Sequence, residues 1–98
     1  MTMQQIALDE LVAHPANANV MNKEHFAKLK LHIEKYGRYE PLVVRPHPRQ
    51  SERFEIINGH HRRQVLEQLG YRVADCLVWQ VSDEQTLVLL ATLNRLSG

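Results

Sequence analysis

The chain has 98 residues, enough for one small domain and not comfortably for two. Its hydrophobic share of 44% and charged share of 23% are those of an ordinary globular domain. Twelve Lys and Arg against eleven Asp and Glu leave a formal net charge of +1, which excludes nucleic-acid binding by bulk charge and makes any anion site a local one. Six histidines can add positive charge below about pH 6.5. Cys76 is the only cysteine, so no internal disulfide forms and a reducing, cytoplasmic setting fits. Met1 to Gln5 lacks the basic and apolar regions of a signal peptide. The apolar run from Leu87 to Ala91 is too short to span a bilayer, and no membrane partner is expected.

In chain order, Gln4 to Leu8 reads as a short strand with Ile6 and Leu8 on one face. Asp9 to Val12 then turns toward His14-Pro15. The Ala/Asn-rich stretch from Ala13 to Val20, with Asn17 and Asn19, has loop chemistry. Asn22 is a good N-cap for a helix running to about Tyr36, with Gly37 as the residue that ends it. Phe26, Leu29, Ile33 and Tyr36 recur at helical spacing as its buried stripe. His25, Lys28 and His32 form a neighbouring cationic stripe, either a solvated face or one wall of a ligand site.

After a turn at Arg38 to Pro41, Leu42 to Arg45 is a strand buried on both faces. Pro46 to Glu52 is a polar, Pro-broken connection, and Phe54 to Ile57 is the returning strand. It leads through Asn58-Gly59 into a helix ending near Leu69, with Val65, Leu66 and Leu69 inward and Arg63 paired to Glu67 outside. Arg72 to Trp79 is a further strand. Ser82 with Gln85 makes a capping box for a third helix from Asp83 to about Leu93, with Leu87, Leu90 and Leu93 or Ala91 inward. Three helices on a small mixed sheet make an α+β fold. Residues 1–98 read as a single domain, and the abrupt stop after a helix suggests a piece of, or a derivative of, a longer protein.

The strand end, Gly59 and the helix start carry the chemistry. A helix N-terminus presents unpaired N–H groups and the positive end of the macrodipole. His60, His61, Arg62 and Arg63 crowd that first turn, although cations belong at the opposite end of a helix. Their placement points to a bound anion that offsets them, phosphate above all. Gly59 lets the backbone approach a ligand closely, and Arg62 can grip phosphate oxygens with two donors. No Walker A motif is present. Cys76, mid-strand with no sign of activation, reads as a small buried hydrophobe. His60 and His61 lie about 100° apart on a helix and chelate poorly, and no Cys pair or His-x-x-x-His spacing appears, so no metal ligands are assigned. No paired carboxylates announce a two-metal nuclease.

These residues also resemble a family. Gly59-His60-His61-Arg62-Arg63-Gln64-Val65-Leu66-Glu67-Gln68-Leu69-Gly70 aligns without gaps with the G-E-R-R-x-R-A-x-x-x-A-G box of the ParB N-terminal domain, in the ParB/sulfiredoxin superfamily. Gly37 to Arg45 resembles its G-x-x-Q-P-L-x-V-R box, and Ile6 to Leu11 followed by His14-Pro15 resembles its opening. Asn94-Arg95 resembles its final Asn-containing motif. The resemblance spans nearly the whole chain and implies a bacterial, ParB-like regulatory domain linked to plasmid or chromosome partition. It implies a nucleoside triphosphate, CTP or ATP, with Mg2+. Gly59, His60, His61, Arg62 and Asn94 would hold phosphates, Lys28 and His32 would line the same cleft, and Glu40 stands where the family often has Gln near the base or sugar.

DNA would be reached through other domains or partners, and a homodimer is compatible with the family. Two departures narrow the expectation. Sulfiredoxin has Gly-Cys-His-Arg at this box, so His60 in place of the nucleophilic cysteine argues against sulfinic-acid reductase activity. The family's third box arginine is Gln64, which leaves phosphate binding better supported than hydrolysis. Two alternatives stay open: a small nucleotide-dependent kinase or nuclease on the same fold, with Glu40, Glu55 or Asp75 as its acid, and an interaction domain with a decayed pocket.

Overall fold

The sheet is assembled from one hairpin, residues 42–46 with 54–58, and three strand pairings distant in sequence. The computed structural model describes residues 1–17 and 20–97, with side chains described as far as Leu93. Strand β1 (Thr2–Ala7) is followed by a single 3-10 turn at Leu8–Glu10 and a three-residue strand β2 (Leu11–Ala13). Helix α1 (Lys23–Tyr36) precedes strands β3 (Leu42–Pro46) and β4 (Phe54–Asn58), then helix α2 (His60–Gln68), strand β5 (Val73–Val78) and helix α3 (Asp83–Ser97). The five strands form one mixed sheet in the order β1-β5-β3-β4-β2. β1/β5 and β3/β4 are antiparallel, and β3/β5 and β2/β4 are parallel.

The sequence-predicted α+β class, with three helices on a small mixed sheet, is the observed one. Local chemistry accounts for the helix ends. The Asn22 side chain accepts from the His25 N–H at 2.8 Å, and Gly37 closes α1 in the left-handed region with φ 65°. Ser82 and Gln85 exchange both capping-box bonds at the start of α3, at 2.9 and 3.1 Å.

One core lies between the sheet and the α1/α2 pair. Leu42, Val44, Ile56, Ala74 and Cys76 from the strands meet Ile33, Val65 and Leu66 from the helices, each large apolar side chain contributing roughly 1.5–3 kcal/mol. Strand alternation turns Arg45, Glu55 and Ile57 toward the other face, which α3 covers through β4.

Four expectations are corrected. The turn expected at Asp9 to Val12 gives way at Leu11 to β2, because Leu11 to Ala13 lies alongside Phe54 to Ile56 in a parallel pairing that no local pattern announces. Tyr36 is not in the core: it is 58% exposed, with its ring 4.9 Å from that of His32. In α3, Thr86 and Leu90 are the buried positions among the described residues, while Leu87 is 52% exposed and Ala91 exposed. The helix runs four residues beyond Leu93, to Ser97.

Candidate functional site

The parallel pairing of β2 with β4 brings two chain segments to the same end of the sheet: His14, just past β2, and Asn58-Gly59, leaving β4. Gly59 caps α2 at φ 110°, ψ 21°, a backbone conformation that side chains rarely adopt. A Cβ there would lie 2.7 Å from Leu42 Cγ and 3.0 Å from Arg62 Nη2. Glycine thus lets the Arg62 side chain fold back across the strand-to-helix turn. The adjoining cleft is lined by Met21, Leu29, Asn58, Gly59, His60, His61 and Arg62. It encloses about 90 Å³, room for a phosphate group, whereas a whole nucleotide site runs to roughly 300–1,000 Å³.

Arg62 is the cation of this cleft. Its side chain is 13% exposed, and its Nη1 lies 3.5 Å from Glu40 Oε2, at the outer limit of a hydrogen bond. Its buried Nε has no hydrogen-bond partner. Burial lowers the Arg62 pKa from its ordinary value, and the Glu40 charge opposes that shift. The guanidinium is therefore desolvated and only weakly paired, which is costly unless a further acceptor meets it.

The two histidines differ from a simple basic first turn. His60 is 7% exposed, and its Nε2 accepts from the His14 N–H at 3.4 Å. Its pKa is pushed down to about 4, first by burial and then by the nearby His61 and His14. At neutral pH it is an uncharged imidazole whose proton sits on Nδ1, and Nδ1 is buried without a partner. Burial also lowers the His61 pKa. Arg63 turns away, binding Glu67 and donating to the Leu8 carbonyl at 3.2 Å. The idea of three or four cations stacked against the helix dipole is thereby corrected: one buried guanidinium and two imidazoles disfavoured as cations occupy the turn.

The other expected site residues are placed unevenly. Glu40 reaches Arg62. From α1 the cleft wall is Leu29, whereas Lys28 is exposed and 3.6 Å from Glu24, and His32 is exposed beside Tyr36. Asn94 lies in α3, but its side chain, like Asn19, is outside the described residues. Of the acids considered for a catalytic role, Glu55 is buried on Arg45, with Nη2–Oε1 at 2.7 Å and Nε–Oε1 at 2.9 Å. Asp75 instead accepts from Gln5 on the sheet surface at 3.1 Å. Cys76 is fully buried in β5, and burial raises its pKa to about 12, so it supplies no thiolate.

Sequence reasoning missed the buried polar cluster behind the cleft. Arg45 bridges Glu55 and, at 2.8 Å, Asp83 at the first residue of α3. Burial works against its charge, but the bonds to Glu55 and Asp83 outweigh it and raise its pKa. His14 Nε2 and His47 Nε2 approach the two Glu55 oxygens at 3.7 and 3.8 Å. A charged Arg45 and Glu55 inside apolar strand runs were the available signal, since such residues are buried only when paired.

The chain matches the ParB N-terminal domain family over residues 1–94. It belongs to that family. A putative replication protein B from Sinorhizobium fredii is 37% identical over 68 residues, covering 69% of this chain and 20% of its own. A nucleoid occlusion protein from Geobacillus thermodenitrificans is 31% identical over 78 residues, covering 78% and 27%. The chain thus spans about a quarter or less of these relatives' length. Among solved structures, the Caulobacter crescentus chromosome-partitioning protein ParB complexed with CTP-gamma-S superposes with TM-score 0.85 at 20% identity, covering 96% of this chain and 53% of that one. Sulfiredoxin from Arabidopsis thaliana superposes at 0.72 with 16% identity, covering 92% and 98%. The ParB-type sheet, helices and chain order are therefore shared. Among the described residues, no three His, Cys, Asp or Glu side chains group to hold a metal ion, and no helix is long and apolar enough to cross a membrane.

Proposed function

We propose that this chain is the nucleotide-binding regulatory domain of a larger cytoplasmic partition or replication protein, holding triphosphate oxygens at the start of α2. The observation that carries the reading is Arg62: a buried guanidinium with an unpartnered Nε and a 3.5 Å ion pair, beside Gly59 and the α2 amides. The amides of Gly59 to Arg62 and the Arg62 fork would bind phosphate oxygens, and His60 Nδ1–H would add a neutral donor. The enclosed space suits a phosphate, so the nucleoside would lie outward, where Lys28 and His32 of α1 become reachable; Asn94, whose side chain is outside the described residues, is proposed for the phosphates on the family resemblance alone. The CTP-gamma-S bound by the Caulobacter ParB supports a pyrimidine triphosphate. CTP is favoured over ATP on that ground. Mg2+ would arrive with the phosphates, because the described residues offer no ready-made metal cage. DNA would be contacted through other domains or partners, with a homodimer as the working assembly.

Calorimetry with CTP, ATP and GTP, each with Mg2+, tests this. One triphosphate should release heat, and Arg62→Ala should weaken it roughly ten- to a hundredfold, the loss of charge-assisted hydrogen bonds worth about 1.5–3 kcal/mol. Absence of heat with all three would sink the proposal. An enzyme on this fold would need an acid beside the phosphate, and Glu40 is the one that the described residues place against Arg62.

A further inference from the structure

Glu40 sits beside Arg62, whose side chain lines the cleft, and its backbone position is fixed by its surroundings. Tyr39, next to it, is packed against the core, and its hydroxyl accepts from the Asp75 N–H at 3.0 Å. Pro41 follows, leading directly into the buried Leu42 of β3. The Glu40 backbone is thus held between an anchored tyrosine and the first residue of a central strand. Its side chain nevertheless projects into solvent, 86% exposed, and turns its carboxylate back toward Arg62. A pair at 3.5 Å between one exposed and one buried partner is weak as a structural tie. As a charge placed beside Arg62 it is effective, because Arg62 has no other acidic partner among the described residues.

We infer that Glu40 is the charge-selectivity residue of the site: a tethered carboxylate that competes with incoming phosphate for Arg62 and weakens the hold on highly anionic ligands. The inference rests on the phosphate reading above and deepens it. A phosphate seated at the α2 amides and Arg62 would lie within a few ångströms of the Glu40 carboxylate, and like charges near a protein surface repel appreciably. Glu40 would also neutralise part of the Arg62 charge before the ligand arrives. Both effects oppose binding, and both vanish when the carboxylate becomes an uncharged amide of the same shape.

The test uses the whole chain, with tripolyphosphate as the probe and EDTA present so that no divalent cation bridges the groups. Wild type, Glu40→Gln, Arg62→Gln and the double variant are titrated by calorimetry at low and high salt. Glu40→Gln should bind tripolyphosphate about five- to tenfold more tightly than wild type, the gain shrinking at high salt as exposed charges are screened. Relative to Arg62→Gln, the double variant should show a clearly smaller gain, since only the direct repulsion of the probe is left to remove. If Glu40→Gln binds equally or more weakly, Glu40 is a ligand-side group and the inference is overturned while the phosphate reading stands. If no variant binds tripolyphosphate, the inference is overturned, and the calorimetry with Mg2+ and the triphosphates decides the phosphate reading separately. Glu40 is exposed, so its amide variant keeps the fold, and a thermal melt checks this.

Discussion

Replacing Gly59 with alanine asks whether the strand-to-helix turn is built around the Arg62 side chain. The backbone there has φ 110°, and a non-glycine residue in such a region costs about 1–3 kcal/mol. The added Cβ would also meet Leu42 Cγ at 2.7 Å. Leu42 is fully buried in a central strand, so relief requires core movement, worth about 1–3 kcal/mol more. The total is roughly 2–6 kcal/mol, a large part of the ~5–15 kcal/mol that stabilises a domain of this size.

Gly37→Ala is the internal control. It too has positive φ, 65°, but nothing lies within 4 Å of its Cβ, so about 1–2 kcal/mol is expected. Urea unfolding of both variants, fitted with a shared m-value, measures the difference. The Gly59 variant should be less stable than the Gly37 variant by at least about 1 kcal/mol, a gap of roughly 4–8 °C in Tm. It should also bind triphosphate more weakly when held folded in the cold, because the same Cβ approaches Arg62 Nη2 and Nε at 3.0 and 3.2 Å. Equal destabilisation of the two variants would refute the close-approach reasoning.

Two further outcomes follow from the buried polar groups. Glu55→Gln should cost about 3–5 kcal/mol in urea unfolding by leaving the Arg45 charge undercompensated inside the protein, and pairing it with Arg45→Met should restore most of that; a single variant as stable as wild type would contradict the ion pair. His60 has a folded pKa pushed down to about 4 from an ordinary 6.5, so the unfolded chain binds more protons between those values and the stability present above pH 6.5 falls as pH drops toward 4, by on the order of 2–3 kcal/mol. Stability measured from pH 7 to 4.5 should therefore decline less steeply in His60→Gln, and an unchanged slope would show that His60 is not buried uncharged.

Helix ends were legible from the sequence because capping is local. Asn22, Gly37, Ser82 with Gln85, and the Asn58-Gly59 turn each satisfy neighbouring backbone groups through residues only a few positions away. The wide apolar run at Leu42 to Arg45 likewise announced a central strand buried on both faces. Glu40 and Arg62 were both singled out as site residues, but their contact joins positions 22 apart and required the fold.

Burial and long-range pairing were decided only in three dimensions. β2 exists because Leu11 to Ala13 pairs with β4, more than forty residues away. Leu87 and Leu90 are the same residue type three positions apart, yet only Leu90 points at the sheet, since α3's facing depends on where β4 and the Arg45–Asp83 bond hold it. The charges at the site were decided the same way. Two histidines and two arginines in a row look alike as letters, but desolvation and partners separate them. His60 is buried beneath the His14 segment and stays uncharged, Arg63 leaves for Glu67 and the Leu8 carbonyl, and Arg62 alone carries a weakly paired positive charge into the cleft.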